Sequence, residues 1–116
     1  MQKVIFTDID GTLLDSYFPD LNKAKKLVEK TLLNGIHLIL CSSKTELEQD
    51  LNRSNIHLKG PCSVENGGAT IIPLGYFKKS KFNHSKKFQN KYIIETGGSS
   101  FKIRSLLKKI RTKHKI

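Results

Sequence analysis

Long apolar runs, cysteines and, toward its end, acidic residues are scarce in this sequence of 116 residues. No apolar stretch approaches the ~20 residues of a membrane-spanning helix, and MQKVIFTDID lacks the long apolar segment and cleavage site of a signal peptide. Cys41 and Cys62 are not spaced as a CxxC pair, so we expect free thiols, with Cys41 in the core. These absences predict a single-domain cytoplasmic protein with no membrane partner.

The basic residues are concentrated in the last third of the chain. Residues 1–77 contain eight basic residues against nine acids, which gives a net charge of −1. Residues 78–116 contain thirteen against Glu95 alone, a net charge of +12, and the two parts sum to the +11 of the whole chain. Nucleic-acid binding is therefore considered only for the last third, where phenylalanines are interleaved with lysines. The alternatives are a solvated lysine face and electrostatic attraction of an anionic substrate.

Local patterns predict alternating strands and helices. The predicted elements are a strand at 4–6, a helix from a cap at Asp20 to Asn34-Gly35, a strand at 36–41, a helix from Thr45, a strand at 63–65, a returning strand at 69–72, an exposed loop at 78–91, a strand at 92–95 and a helix capped by Ser99 or Ser100. Leu47 and Leu51 are expected to form the apolar face of the second helix. This order predicts an α/β fold with a parallel sheet flanked by helices.

Two aspartates follow the first strand in the stretch VIFTDIDGTLLD. Ligand sites form at the carboxyl ends of parallel strands, and side chains two positions apart point to the same side of an extended chain. Asp8 and Asp10 would repel each other unless a cation lies between them, and Mg²⁺ prefers oxygen ligands. Gly11 allows a sharp turn, and Thr12 offers a hydroxyl or a backbone N–H. The alternative is a capped loop with two solvated aspartates.

The same stretch resembles the first motif, DxDGT, of the haloacid dehalogenase (HAD) superfamily of phosphohydrolases. The resemblance implies a partial HAD-like, Rossmann-type sheet and makes Asp8 the nucleophile that becomes an aspartyl-phosphate. Asp10 would be the general acid for the leaving oxygen and then the base for water. The Asp8 carboxylate and the Asp10 backbone carbonyl would hold Mg²⁺.

A second group of polar residues follows the strand HLILC. Ser42 matches the Ser or Thr with which the superfamily binds phosphate, and Ser43 and Lys44 come directly after it. The helix that begins at Thr45 would offer free N–H groups to the same anion. The alternative is a serine-rich helix cap with no ligand.

The runs CSSKTELE and SVENGGATIIPLGYF resemble the mannosyl-3-phosphoglycerate phosphatase family within the superfamily. This narrower resemblance implies a small phosphorylated sugar-acid substrate, with Ser42, Ser43 and Lys44 facing its phosphate or acid end. Asn66 and Gly67 would line the cleft near the sugar. The structural alternative for ENGG is a hairpin turn, and the neighbouring activity is a sugar-phosphate or sucrose-phosphate-type phosphatase.

The resemblance weakens along the chain. We expect residues 1–77 to form the N-terminal part of a phosphatase core, and 78–116 to form a basic loop and the start of a cap domain. The family's later lysine and its acidic GD-type motif have no match in 78–116, where aspartate is absent. A fragment or truncated relative is therefore expected, with an exposed sheet edge and a site that a dimer or a second chain would complete. The competing hypothesis is an inactive remnant, or a basic module that binds nucleic acid or another partner.

Overall fold

Six strands and three helices make up the computed structural model, which describes residues 2–78 and 82–114. The elements are β1 (Lys3–Thr7), α1 (Leu21–Leu33), β2 (Ile36–Cys41), α2 (Glu46–Asn55), β3 (Cys62–Val64), a 3-10 turn (Glu65–Gly67), β4 (Ala69–Pro73), β5 (Ser85–Phe88), β6 (Lys91–Glu95) and α3 (Ser100–His114). None of the helices in these residues is long and apolar enough to cross a membrane.

The strands form one mixed sheet in the order β1-β2-β3-β4-β6-β5. The first three are parallel, as predicted, and β4 returns antiparallel to β3 after the ENGG turn. β6 and β5 continue the sheet with antiparallel pairing. The sheet therefore places the carboxyl ends of β1, β2 and β3 along one edge, where a site can form.

The prediction of a loop at 78–91 is wrong for its second half. Residues 85–88 form β5, which pairs with β6 at the edge of the described sheet, whereas residues 79–81 lie outside the described part of the chain. Lysines are common on edge strands because they hinder pairing with another chain, so a lysine-rich composition did not exclude a strand. The predicted division at 77/78 into core and start of cap stays a prediction, with β6 and α3 as the expected strand and helix of the cap.

Helix α1 begins and ends as predicted. The side chain of Asp20 accepts a hydrogen bond from the backbone N–H of Lys23 at 2.9 Å, which caps the first turn. Gly35 follows the last turn with φ +69°, a conformation that glycine adopts without strain. Ala24 and Val28 are its buried residues and attach it to the sheet.

Helix α2 begins with the predicted capping box, but the prediction of its apolar face is wrong. Leu47 and Leu51 are 74% and 64% exposed, whereas Gln49 and Arg53 are buried. Two positions along an α-helix correspond to about 200° of rotation, so either pair can face the sheet but not both. The sheet takes the polar pair because its side chains bond to carbonyl groups there, as described below.

The hydrophobic core lies between the sheet and helices α1 and α2. It comprises Ile9, Leu14, Ala24, Val28, Leu38, Leu40, Ile56, Leu58, Cys62, Val64 and Ile71. Cys62 is completely buried, whereas Cys41, which was expected in the core, is only partly buried. Both cysteines are free thiols, as predicted.

Apolar surface remains exposed at β1 and on α3. Phe6 is 67% exposed on β1, which is the edge strand next to β2 in the described sheet, and α3 has no buried residue. The radius of gyration is 17.3 Å, larger than the roughly 13 Å of a closely packed domain of this length. The expected exposed edge of the sheet is therefore present.

Candidate active site

The loop after β1 presents both aspartates to solvent. Asp8 and Asp10 are exposed on either side of Ile9, which is completely buried, so the alternation of an extended chain continues through them. The carbonyl of Ile9 accepts hydrogen bonds from the N–H groups of Leu13 and Leu14 at 3.1 and 2.8 Å. Ile9 and the buried Leu14 thereby attach the loop to the core. Asp8 Oδ1 accepts the N–H of Ile9 at 2.7 Å, which orients its carboxylate.

The end of β2 places Ser42 under this loop. Ser42 is buried, its Oγ accepts the N–H of Lys44 at 3.2 Å, and its own N–H donates to the carbonyl of Ser63 at 3.2 Å. The capping box occupies the next residues, because Thr45 Oγ1 and the N–H of Thr45 both donate to Glu48 Oε2. These bonds lower the pKa of Glu48, with the Thr45 hydroxyl as the larger cause. The capping box uses the N–H groups of Thr45 and Glu48, and anion binding by the other N–H groups of this helix start stays a prediction.

The ENGG turn is attached to the same segment. The N–H of Asn66 donates to the carbonyl of Ser42 at 3.1 Å, and the N–H of Glu65 donates to that of Lys44 at 3.0 Å. Glu65 and Asn66 have φ of 51° and 55°, in the left-handed region, which costs a non-glycine residue about 1 kcal/mol or more. The bonds to the Ser42–Lys44 segment offset that cost and hold Asn66 at the cleft.

Most of the predicted site residues meet in one cleft of about 370 Å³. It is lined by Asp8, Asp10, Cys41, Ser42, Ser43, Ser63, Asn66 and Gly67. Thr12 instead lines a neighbouring cleft of about 380 Å³, and its N–H donates to the carbonyl of Ile9 at 3.4 Å. A larger cleft of about 720 Å³ at the end of α2 contains one carboxylate, Asp50, which is already paired with Arg53. The cleft with both aspartates is therefore the better candidate for phosphate chemistry.

Lys44 joins the two halves of the site. Its Nζ lies 2.5 Å from Asp10 Oδ2, across 34 positions of sequence. This hydrogen bond is the main reason that the pKa of Lys44 is raised, so the ammonium group stays charged. The pair puts one cation beside two carboxylates, which leaves this group of three with a net charge of −1.

Two residues of the cleft were not predicted as site residues. Ser63 is the register partner of Cys41 in the parallel pair of β2 and β3, so both lie at the edge where the site forms. A signal for Ser63 was present in the sequence, because it lies one residue before the carboxyl end of a third parallel strand. Burial, with a smaller contribution from the charge of Asp8, raises the pKa of the Cys41 thiol, so this group stays protonated near neutral pH.

The residues present fit a magnesium ion that is held by few protein ligands. Within residues 2–78 and 82–114 there is no group of three or more His, Cys, Asp and Glu residues that could hold a metal. Mg²⁺, however, is usually bound through one or two carboxylates, water and substrate phosphates. The oxygen atoms of Asp8 and Asp10 match that requirement in type and number.

Some aromatic rings in and next to the basic last third pack on one another, and others are exposed. The rings of Phe77 and Phe82 lie 6.2 Å apart, and that of Phe82 lies 5.5 Å from Tyr92, so they pack on one another. Phe88 is 55% exposed. Base stacking needs free ring faces, so Phe88 is a better candidate for it than Phe82, and nucleic-acid binding stays a hypothesis.

Comparisons with known proteins agree with the motifs. Residues 5–109 match the family model of haloacid dehalogenase-like hydrolases. A mannosyl-3-phosphoglycerate phosphatase of Pyrococcus horikoshii is 40% identical over 110 residues, which are 95% of this chain and 44% of the relative. A glucosyl-3-phosphoglycerate/mannosyl-3-phosphoglycerate phosphatase of Persephonella marina is 38% identical, over 97% of this chain and 41% of the relative. The chain thus spans less than half the length of these curated relatives.

A solved structure supports the fold. The crystal structure of a hypothetical protein from Geobacillus kaustophilus HTA426 matches with a TM-score of 0.63 and 17% sequence identity, over 98% of this chain and 38% of that one. The resemblance inferred from DxDGT, SSKT and ENGG is confirmed by these matches, and the chain belongs to the haloacid dehalogenase-like hydrolases.

Proposed function

We propose that this chain is the site-bearing part of a Mg²⁺-dependent phosphomonoester hydrolase. The observation that carries the proposal is the convergence of Asp8 and Asp10 with Ser42, Ser43 and the Lys44 ammonium at one edge of the sheet. Paired carboxylates beside hydroxyl groups and a cation are the parts that phosphoryl transfer through a covalent aspartyl intermediate requires.

The charge of the site is the reason for expecting a divalent cation. Asp8, Asp10 and Lys44 together carry −1, and a phosphate monoester adds up to −2, so two anions would meet without compensation. Bound Mg²⁺ would neutralise that charge, held by the Asp8 carboxylate and the backbone carbonyl of Asp10.

The residues have separate tasks in the proposed reaction. A carboxylate oxygen of Asp8 attacks phosphorus while Asp10, which must first take up a proton, gives that proton to the leaving ester oxygen, whose bond to phosphorus breaks. Asp10 then takes a proton from the water that attacks the phosphorus of the aspartyl-phosphate. This second step releases inorganic phosphate and restores the Asp8 carboxylate.

The serines and Lys44 would hold the transferred group. Ser42 Oγ already accepts the N–H of Lys44, so its own proton is available for a phosphate oxygen. Lys44 offers a full positive charge at the same place. Phosphate binding by Ser43 and by Thr12 stays a prediction, and the position of Thr12 on the neighbouring cleft makes it the weaker of the two.

The proposed substrate is a glycosylated 3-phosphoglycerate. Relatives that are 36–40% identical are named for the mannosyl or glucosyl forms of this compound. Asn66 and Gly67 lie in the cleft beside the aspartates, where they could contact the sugar or the acid group. A sugar-phosphate or sucrose-phosphate-type substrate is the alternative within the same chemistry, and comparing these substrates would separate them.

The test is phosphate release from mannosyl-3-phosphoglycerate with and without Mg²⁺, for the wild type and for Asp8→Asn. We expect Mg²⁺-dependent release that Asp8→Asn lowers by at least about a thousandfold, because the amide is not a nucleophile. Asp20→Asn is the matched control: it makes the same chemical change at a helix cap where Asn serves as well as Asp.

Two results would contradict the proposal. One is release that survives in Asp8→Asn, which would remove Asp8 from the reaction. The other is the absence of release from folded wild-type protein, which would support the inactive remnant instead. Salt-sensitive binding of RNA in that case would favour the basic module of residues 78–116.

A further inference from the structure

The face that α2 turns toward the sheet is polar. Gln49 is completely buried and Arg53 is 9% exposed, and as positions i and i+4 they lie on the same side of the helix. Burying such groups costs free energy unless they form hydrogen bonds, and the apolar alternative, Leu47 and Leu51, was available on the opposite side. The polar face therefore calls for an explanation other than the burial of apolar surface.

Gln49 bonds to a carbonyl that belongs to the proposed site. Its Nε2 donates to the carbonyl oxygen of Ser63 at 2.5 Å, and the backbone N–H of Ser42 donates to the same oxygen at 3.2 Å. One carbonyl thus accepts a bond from the helix and a bond from the serine proposed to hold phosphate. The opposite orientation of the amide would bring two oxygen acceptors together, so Nε2 is the atom that faces Ser63.

Arg53 makes the corresponding bonds one turn further along α2. Its guanidinium donates to the carbonyl of Gly60 at 2.6 Å and to Cys62 Sγ at 3.3 Å, and it pairs with Asp50 at 3.1 Å. Gly60 lies before β3, whereas Ser63 lies within it. Two buried side chains therefore bond helix α2 to the chain just before β3 and to the middle of β3.

The connection from α2 to the cleft is short. Only Ser42, Ser43 and Lys44 separate β2 from the cap residue of α2, so a movement of the helix is passed directly to them. The ENGG turn is bonded to the carbonyls of Ser42 and Lys44 and would move with them. A change in the position of α2 would thus alter the spacing between Ser42 and the aspartates.

The cost of this arrangement is visible at Gln49. Its Oε1 is buried and has no hydrogen-bond partner among the described residues. An unsatisfied buried acceptor costs about 1–3 kcal/mol, so an apolar side chain of the same shape would suit the fold at least as well. The side-chain amide of Gln49 therefore contributes little to the stability of the fold. Its main effect is to fix the position of the Ser63 carbonyl.

We infer that Gln49 is a positioning residue, which through the carbonyl of Ser63 holds Ser42 where the cleft binds phosphate. The identity of the ligand in this inference rests on the proposed function. The hydrogen-bonded geometry around Ser63 does not depend on it. Gln49 touches neither substrate nor metal in this arrangement. Its effect is on anion binding, separately from folding.

The test compares Gln49→Met with Asn52→Leu. Gln49→Met keeps the length of the side chain and removes the donor. Asn52→Leu makes the same kind of change at a residue of α2 whose amide, within the described residues, donates only to the carbonyl of Glu48 in the same helix. The probe is inorganic phosphate with Mg²⁺. Its dissociation constant is measured from the shifts of the amide NMR signals during a titration. We expect Gln49→Met to weaken phosphate binding about tenfold, as for the loss of one hydrogen bond, and Asn52→Leu to leave it unchanged.

Two further readouts separate positioning from structure. The melting temperature of Gln49→Met should equal or exceed that of the wild type, and the hydrogen exchange of the Ser42 amide should become faster without ligand. Unchanged phosphate affinity, unchanged exchange at Ser42, or an equal loss in Asn52→Leu would overturn the inference.

A second variant, Gln49→Asn, and measurements on the unliganded protein cover the cases in which the first comparison gives no result. If Gln49→Met does not fold, Gln49→Asn retains the amide but falls one methylene short of Ser63, and it must also weaken phosphate binding. If the wild type binds no phosphate, the proposed function fails. The exchange of the Ser42 amide in the unliganded variants still decides the role of Gln49.

Discussion

Helix α2 and helix α3 differ in how they meet the rest of the molecule, although both carry apolar residues at helical spacing. α2 has a capping box, two buried polar residues and a buried Ile56 at its end. α3 has no buried residue, and its apolar side chains are 50% or more exposed. The comparison teaches that amphipathic spacing states only that a helix can bury a face. Which face is buried, and whether any is, depends on what the neighbouring elements present.

The largest expected difference between the two helices is in the effect of removing an isoleucine side chain. Ile56, at the end of α2, is 1% exposed, whereas Ile110 of α3 is 50% exposed. Ile56→Ala should lower the free energy of unfolding by about 2–5 kcal/mol because it leaves a cavity in the core. Ile110→Ala should lower it by less than about 0.5 kcal/mol. Urea denaturation of both variants measures the difference, and similar losses would mean that α3 is packed against another surface in solution.

A smaller effect is expected at the helix starts. Thr45→Ala removes the cap of α2 and should cost about 1 kcal/mol of stability, which urea denaturation can detect. Ser99→Ala, at the start of α3, should cost less, because the fraying of an unpacked helix is not coupled to the core. Thr45→Ser is the control, since it keeps the hydroxyl. A larger loss at Ser99 than at Thr45 would reverse the comparison.

The smallest expected effect is a dependence of α2 on pH. Bonds from Thr45 lower the pKa of Glu48 below its ordinary 4.5, so the charged carboxylate stabilises the folded helix. That contribution is complete above pH 4.5 and is lost as the pH falls through the lowered pKa. The exchange rate of the first-turn amides of α2, divided by the intrinsic exchange rate at each pH, should therefore rise on acidification.

Two comparisons check the origin of this pH effect. The side chain introduced by Glu48→Gln does not titrate. The exchange rate of the first-turn amides in this variant, divided by the intrinsic rate, should therefore stay constant through the acidic range. The first turn of α3 contains no acidic residue and should show no corresponding change. An equal rise in Glu48→Gln would assign the effect to global acid unfolding instead.

Local patterns predicted most of the fold, and they also predicted that most of the site residues lie at one edge of the sheet. The strands near residues 4–6 and 36–41, the cap at Asp20 and the capping box at Thr45 depend on neighbours in sequence, and all are present. The predicted resemblance to a phosphatase family came from short motifs and is confirmed by the comparisons. The roles given to the individual residues of those motifs stay predictions.

The prediction for the face of α2 failed because it depended on contacts outside the helix. Leu47 and Leu51 were expected to face the core, but the carbonyls of Gly60 and Ser63 attract Arg53 and Gln49 instead. The strand at 85–88 pairs with β6 across a short local turn, and it was missed because its lysines are typical of an exposed loop. The ion pair of Lys44 and Asp10 joins residues 34 positions apart, which no local pattern indicates.

By itself, the sequence of this chain determined the order of its elements, the caps of α1 and α2 and the motif residues at the strand ends. These depend on backbone preferences and on hydrogen bonds within a few positions. The tertiary structure alone decided which face of α2 is buried, that Cys41 lines the cleft, and that Lys44 neutralises part of its charge. Those outcomes depend on which carbonyls, carboxylates and apolar side chains meet after folding, because burial and charge act between groups that are close in space and not in sequence.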